Sequence, residues 1–167
     1  SVTLSAAQTT VEFNNIPQTY THLQVRRHTQ TTRATYSSDS IALQINGDTG
    51  NNYKNHYLQG DGSSASAGVM AYTNKTIIGA TATSSATNTP FGVGITDILD
   101  YANTNKYKTI RSLAGFDNNS GSTNQQGYIN LQSGLWMSTA AITSLSFTAE
   151  AGTTLNQYSS FTLYGIR

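Results

Sequence analysis

The chain has 167 residues, 10% of them charged, a formal net charge of +1 and no cysteine. That length suits one domain with a sizeable core. Without thiols there are no disulfides, thiolate nucleophiles or cysteine-based metal sites, and the balanced charge offers no basic stripe for nucleic acid. The polarity is neutral instead: 19 Ser, 26 Thr, 15 Asn and 10 Gln stand where ordinary domains carry about 25% charged residues. Such a composition fits a member of an assembly or a sugar-facing module. No apolar run reaches the ~18–20 residues of a membrane-spanning helix.

In chain order, Val11 and Phe13 form a weak strand candidate. Pro17 follows, fixing its own φ and holding Ile16 extended. Apolar residues then alternate at Leu23/Val25, Ile41/Leu43/Ile45, Phe91/Val93/Ile95, Ile129/Leu131 and Phe161/Leu163, with looser patterns at Ile110/Leu113 and Ile142/Leu145/Phe147. Period-two alternation marks half-buried strands. Weaker candidates lie at residues 53–59, 69–72 and 76–79, and the total predicts about eight to ten strands. Turn residues that tolerate positive φ cluster at 46–52, 60–64, 117–122 and 150–152. Residues 80–89, rich in Ala, Thr and Ser, read as a long surface loop, and Arg26 and Arg27 as a solvated strand end. Helix formers are sparse, and residues 97–102 allow one short turn at most. The expected architecture is all-β: a single-domain antiparallel jelly-roll-like sandwich spanning residues 1–167.

Chemistry is hard to find. The bases available to activate a hydroxyl are His22, His28 and His56, and no G-x-S-x-G elbow is present. Asp97 and Asp100 come nearest to a carboxylate pair, although Asp100 also suits a turn. Residues 46–52 place oxygen-bearing side chains at alternate positions, as calcium loops do. They lack the acidic first ligand, the sixth-position Gly and the closing Glu, which favours a tight turn. The expectation is therefore a non-enzymatic chain with no cofactor and no metal, and with neither a nucleic acid nor a membrane as partner. The residues singled out as contacts for a partner protein or a glycan are Asp48, Asn51, Asn52, Asp61, Tyr101, Tyr107 and Trp136. They are polar loop groups and aromatic faces with a polar tip.

Five blocks, in order, span nearly the whole chain. The first runs Val11-Glu12-Phe13-Asn14-Asn15-Ile16-Pro17-Gln18-Thr19-Tyr20-Thr21-His22-Leu23. The second is Leu43-Gln44-Ile45-Asn46-Gly47-Asp48-Thr49-Gly50-Asn51-Asn52-Tyr53 and the third Asp100-Tyr101-Ala102-Asn103-Thr104-Asn105-Lys106-Tyr107-Lys108-Thr109. The fourth covers residues 133–145 around Gly134-Leu135-Trp136-Met137, and the last is Ser160-Phe161-Thr162-Leu163-Tyr164-Gly165-Ile166. In these blocks the chain resembles a widespread group of small bacteriophage virion proteins. The resemblance implies a structural virion protein, and among these a capsid decoration (cement) protein. Such a protein is a small β-domain, commonly a homotrimer, bound to the outer surface of the major capsid protein lattice. It also implies a short strand upstream of Ser1. The alternative is a tail or fibre module that binds host-surface glycans, with Trp136 and several Tyr residues in an exposed groove.

Overall fold

The computed structural model describes residues 1–86, 89–118 and 127–167. Among the described residues the chain forms twelve strands and no helix. They are β1 (Val2–Thr3), β2 (Thr10–Phe13), β3 (His22–Thr31), β4 (Ser38–Ile45), β5 (Tyr53–Gly60), β6 (Ala65–Met70), β7 (Thr76–Thr83), β8 (Gly92–Ile98), β9 (Lys108–Phe116), β10 (Tyr128–Trp136), β11 (Leu145–Ala149) and β12 (Ser160–Ile166). The count exceeds eight to ten partly because β1 has only two residues and shows no alternation.

The fold is an all-β sandwich. A small sheet runs β2-β11-β4-β7, and a large one runs β1-β12-β3-β8-β9-β10-β5-β6. Every pairing is antiparallel except the two-residue contact between β3 and β7. β3 makes the corner: its first part lies between β12 and β8, and Gln30 and Thr31 then pass across to β7. Between the sheets lies an apolar core in which Val25, Ile41, Leu43, Ile45, Phe147 and Phe161 are fully buried. The tight turn at Gly47 does not make a hairpin, because β4 belongs to the small sheet and β5 to the large one.

The stretch at residues 80–89 is not one surface loop. Ala80 to Thr83 complete β7, a strand buried at all eight positions, and among the described residues of the stretch Ser84, Ser85 and Thr89 are exposed. Thr87 and Asn88 lie outside the described residues, as do residues 119–122 of the loop expected at 117–122.

β7 explains why so much of the interior is polar. One edge pairs with β4, while the other runs beneath β8, β9 and β10 and meets β3 only at its end. A buried strand edge leaves N–H and C=O groups that must find partners. Side chains of the large sheet supply them. Asn55 Oδ1 accepts from Ile77 N at 3.0 Å and Asn130 Oδ1 from Ala80 N at 2.7 Å. Ser112 Oγ donates to the Ile78 carbonyl at 2.7 Å. Arg27 Nη2 reaches the carbonyls of Ile78, Gly79 and Ala80 at 3.2, 3.1 and 3.1 Å.

Close approach also demands small residues. A methyl group on Gly79 would sit 2.5 Å from the Ala114 Cβ, and one on Gly92 2.9 Å from the Thr81 Cα. Gly79 holds φ at +105°, a conformation that disfavours side chains. Arg27 therefore does not end a solvated strand. It is 4% exposed, and burial lowers its pKa to about 9, which leaves it charged at neutral pH.

Candidate protein-docking face

Successive side chains on a strand point to opposite faces. With Gly94, Thr96, Ser112, Ala114, Asn130 and Gln132 turned inward beneath β8, β9 and β10, the aliphatic residues between them must point outward. Val93, Ile95, Leu113, Ile129, Leu131 and, on β5, Leu58 each keep 44–61% of their surface exposed. The alternation at Phe91/Val93/Ile95 and Ile129/Leu131 is real, but its apolar side is the outer one.

Strand register assembles these residues into rows. One row reads Arg26, Ile95, Leu113, Leu131, Leu58, Ala67 across β3, β8, β9, β10, β5 and β6. The row beside it reads His28, Val93, Gly115, Ile129, Gly60, Ala65, so two glycines leave dents between large neighbours. The third reads Gln24, Asp97, Arg111, Ser133, His56, Val69 and forms a polar border. In it Arg111 donates to Asp97 at 2.9 Å, as does Gln24 at 2.9 Å. Partial burial raises the Asp97 pKa, but these donors outweigh it and hold the carboxyl below its ordinary range. The six aliphatic side chains expose on the order of 600 Å², at the upper end of the largest patch on a typical monomer. Such a surface, carried on hydrogen-bonded strands and hollowed beside Gly115 and Gly60, is suited to binding another protein.

The residues expected to make contacts are distributed differently. Register places the start of β5, the start of β9 and the end of β10 at one end of the sandwich. Asp48, Asn51, Asn52, Tyr101, Tyr107 and Trp136 belong to that end, while Asp61 turns the chain from β5 to β6 at the other. Trp136 (2% exposed) and Tyr101 (0%) are core residues, not contact residues. Each buries its ring and gives its polar tip an internal partner. The Trp136 indole N–H donates to Asp48 Oδ2 at 2.7 Å, and the Tyr101 hydroxyl donates to the Pro17 carbonyl. The aromatic groove expected of a glycan-binding module is thus not built from these rings.

The remaining candidates hold turns. Asp48 also accepts from Asn52 at 2.9 Å and from Gly50 N at 2.8 Å, and Asn51 accepts from Thr73 at 2.8 Å. Asp61 accepts from the N–H groups of Ser63 and Ser64, which lower its pKa to about 2. Tyr107 is left 53% exposed. Among the possible acid–base groups, His22 and Asp100 adjoin. His22 Nδ1 accepts from Asp100 N at 3.0 Å and lies 3.5 Å from the Asp100 carboxylate, which also pairs with Lys106, while Asp97 pairs with Arg111. The His28 ring packs at a tilt against Phe91, centroids 5.1 Å apart.

Arg27, Asn55 and Lys108 are the structural residues that sequence reasoning missed. Lys108 is fully buried, donating to the carbonyls of Asn103, Lys106 and Thr139 at 2.6, 3.0 and 3.2 Å, and burial lowers its pKa. A signal existed: counting by twos from Leu23 and Val25 puts Arg27 on the inward face.

The Trp136 indole N–H and the Asn52 amide hold the Asp48 carboxyl below its ordinary value of 3.8. A carboxyl depressed on folding contributes stability above its unfolded pKa and loses it as pH falls through the folded one. Asp48→Asn is therefore expected to flatten the fall in stability below about pH 4. Trp136, the only tryptophan, reports this by fluorescence-monitored unfolding at a series of pH values. An unchanged pH dependence would show that Asp48 does not bear on stability.

No protein-family model matches this chain, and no curated protein matches it either.

Proposed function

We propose that the protein is a non-enzymatic structural component of a bacteriophage virion. In this reading it is a decoration protein, bound as a homo-oligomer to the outer surface of the major capsid protein lattice. The observation that carries the reading is the aliphatic outer face of the large sheet. A contiguous apolar patch of this size marks an association surface. Carried on paired strands, it needs no loop to be ordered on binding, so little conformational entropy is lost.

The composition agrees with crowding. A net charge of +1 limits repulsion between neighbouring copies. Ser, Thr and Asn supply hydrogen-bonding surface without the long flexible stems of Lys and Glu. A protein that binds only the assembled shell stabilises it by mass action. Several linked copies can hold firmly through individually modest contacts. The ordered blocks that resemble phage virion proteins supply the particle context.

The test compares purified particles with and without the protein. Removal is expected to lower the temperature at which the particles release their DNA, and restoring the protein to raise it again. If heat and osmotic resistance stay the same, the protein does not cement the shell.

A further inference from the structure

We propose that a second copy of this chain covers the aliphatic face, related to the first by a two-fold axis running along the strands between β9 and β10. The inference does not depend on the virion reading, because it concerns the free protein.

The registers carry the argument. A two-fold axis in that position sets β9 against β10 of the second copy, β8 against β5, and β3 against β6, while each row keeps its height. In the glycine-containing row, Ile129 then faces the dent at Gly115, and Val93 faces the dent at Gly60. Both large aliphatic residues of that row meet a glycine, and His28 meets Ala65. In the central row Leu113 meets Leu131 and Ile95 meets Leu58, so the aliphatic side chains pack against each other. In the polar border Asp97 comes opposite His56, a carboxylate against an imidazole, and Arg111 opposite Ser133. Like charges do not meet at any of these positions. A contact of this kind is isologous, with each copy offering the same patch. It belongs to the aligned class of sheet-on-sheet packing, with faces about 10 Å apart.

Area and availability point the same way. With Val69 and Leu99 at the rim, both exposed, the patch approaches the ~800 Å² that each partner buries in a stable contact. A folded chain carrying such a face needs a cover as soon as it is made, and its own copies are the partner always present. The contact is two-fold, in place of the threefold association that the resemblance implied.

Sedimentation equilibrium of the full chain is expected to give twice the 17.9 kDa chain mass. Leu131→Lys is expected to raise the dissociation constant about a hundredfold while leaving the circular dichroism of the fold unchanged. A wild-type mass of one or three chains overturns the proposal. Because the chain has no cysteine, the geometry itself can be tested with the double variant His56→Cys/Asp97→Cys. Within one chain these positions are three strands apart, about 14 Å. Across the proposed contact their backbones lie about 10 Å apart, too far for a direct disulfide but within reach of a short bifunctional thiol reagent. A bis-methanethiosulfonate with a one-carbon spacer is expected to yield covalent dimers from the double variant and none from either single variant. Cross-linking of the single variants, or none with the double, places the axis elsewhere and rejects it.

Discussion

Replacing Arg27 by Lys is expected to lower the free energy of unfolding by about 3 kcal/mol, although the charge is kept. The guanidinium sits under β8 without a carboxylate partner, and its value lies in its fork of donors. One nitrogen serves three successive carbonyls of β7, and another donates to Thr29 Oγ1 at 2.8 Å. An ammonium is a compact point donor that is more strongly hydrated than a guanidinium, so burying it costs more while it reaches fewer acceptors. Carbonyls left without a donor each cost about 1–3 kcal/mol. Denaturant unfolding should show the midpoint falling with the slope unchanged. A loss below about 0.5 kcal/mol, ordinary for surface substitutions, would mean that Arg27 does not hold β7.

The second large effect is expected at Asn55, where Asn55→Leu should cost about 3–5 kcal/mol. The side chain is 1% exposed and uses its full hydrogen-bonding capacity. Its amide donates to the carbonyls of Tyr72 and Lys75, both at 3.0 Å, and its oxygen accepts from Thr76 Oγ1 at 2.5 Å and Ile77 N at 3.0 Å. It thereby ties β5 to the turn that launches β7. Leucine keeps the branch at Cγ and is bulkier than asparagine, so it leaves no cavity, and the loss comes from the missing hydrogen bonds together with some overpacking. The Ile77 N–H would remain buried without its partner, while the Tyr72 and Lys75 carbonyls, half-exposed, can turn to water. Equilibrium unfolding checks this. A fully stable Asn55→Leu variant would refute the claim that side chains pair the bare edge of β7.

How far the sequence could be read follows from the same geometry. Alternation identified β3, β4, β8, β10 and β12 and with them the all-β class, because period two is imposed by the backbone whatever lies on either side. It could not say which side is buried. Val93, Ile95, Ile129 and Leu131 look like core residues, and they would be if the opposite face met water. That face meets β7 instead, at a distance that only Gly, Ala, Ser or Thr allows and with backbone groups that Asn and Arg must pair.

The same strand explains why residues 80–89 misled. An Ala/Thr/Ser run has the composition of a loop, and also that of a strand pressed against another backbone. Trp136 and Tyr101 were visible as aromatics with polar tips, but their partners, Asp48 and the Pro17 carbonyl, lie far away in sequence. The abundance of neutral polar residues therefore has two sources. Part of it wets the surface, and part of it, including Asn55, Ser112, Asn130 and Gln132, builds the interior.

Electron cryo-microscopy of purified particles tests the central claim, that this chain is a shell-bound assembly subunit whose aliphatic face is a protein contact. Many symmetrically arranged copies on the outer capsid surface are expected, with Ile95, Leu113, Ile129 and Leu131 covered by protein density. A few copies confined to the tail tip, or copies on the shell with that face bare to solvent, would contradict it.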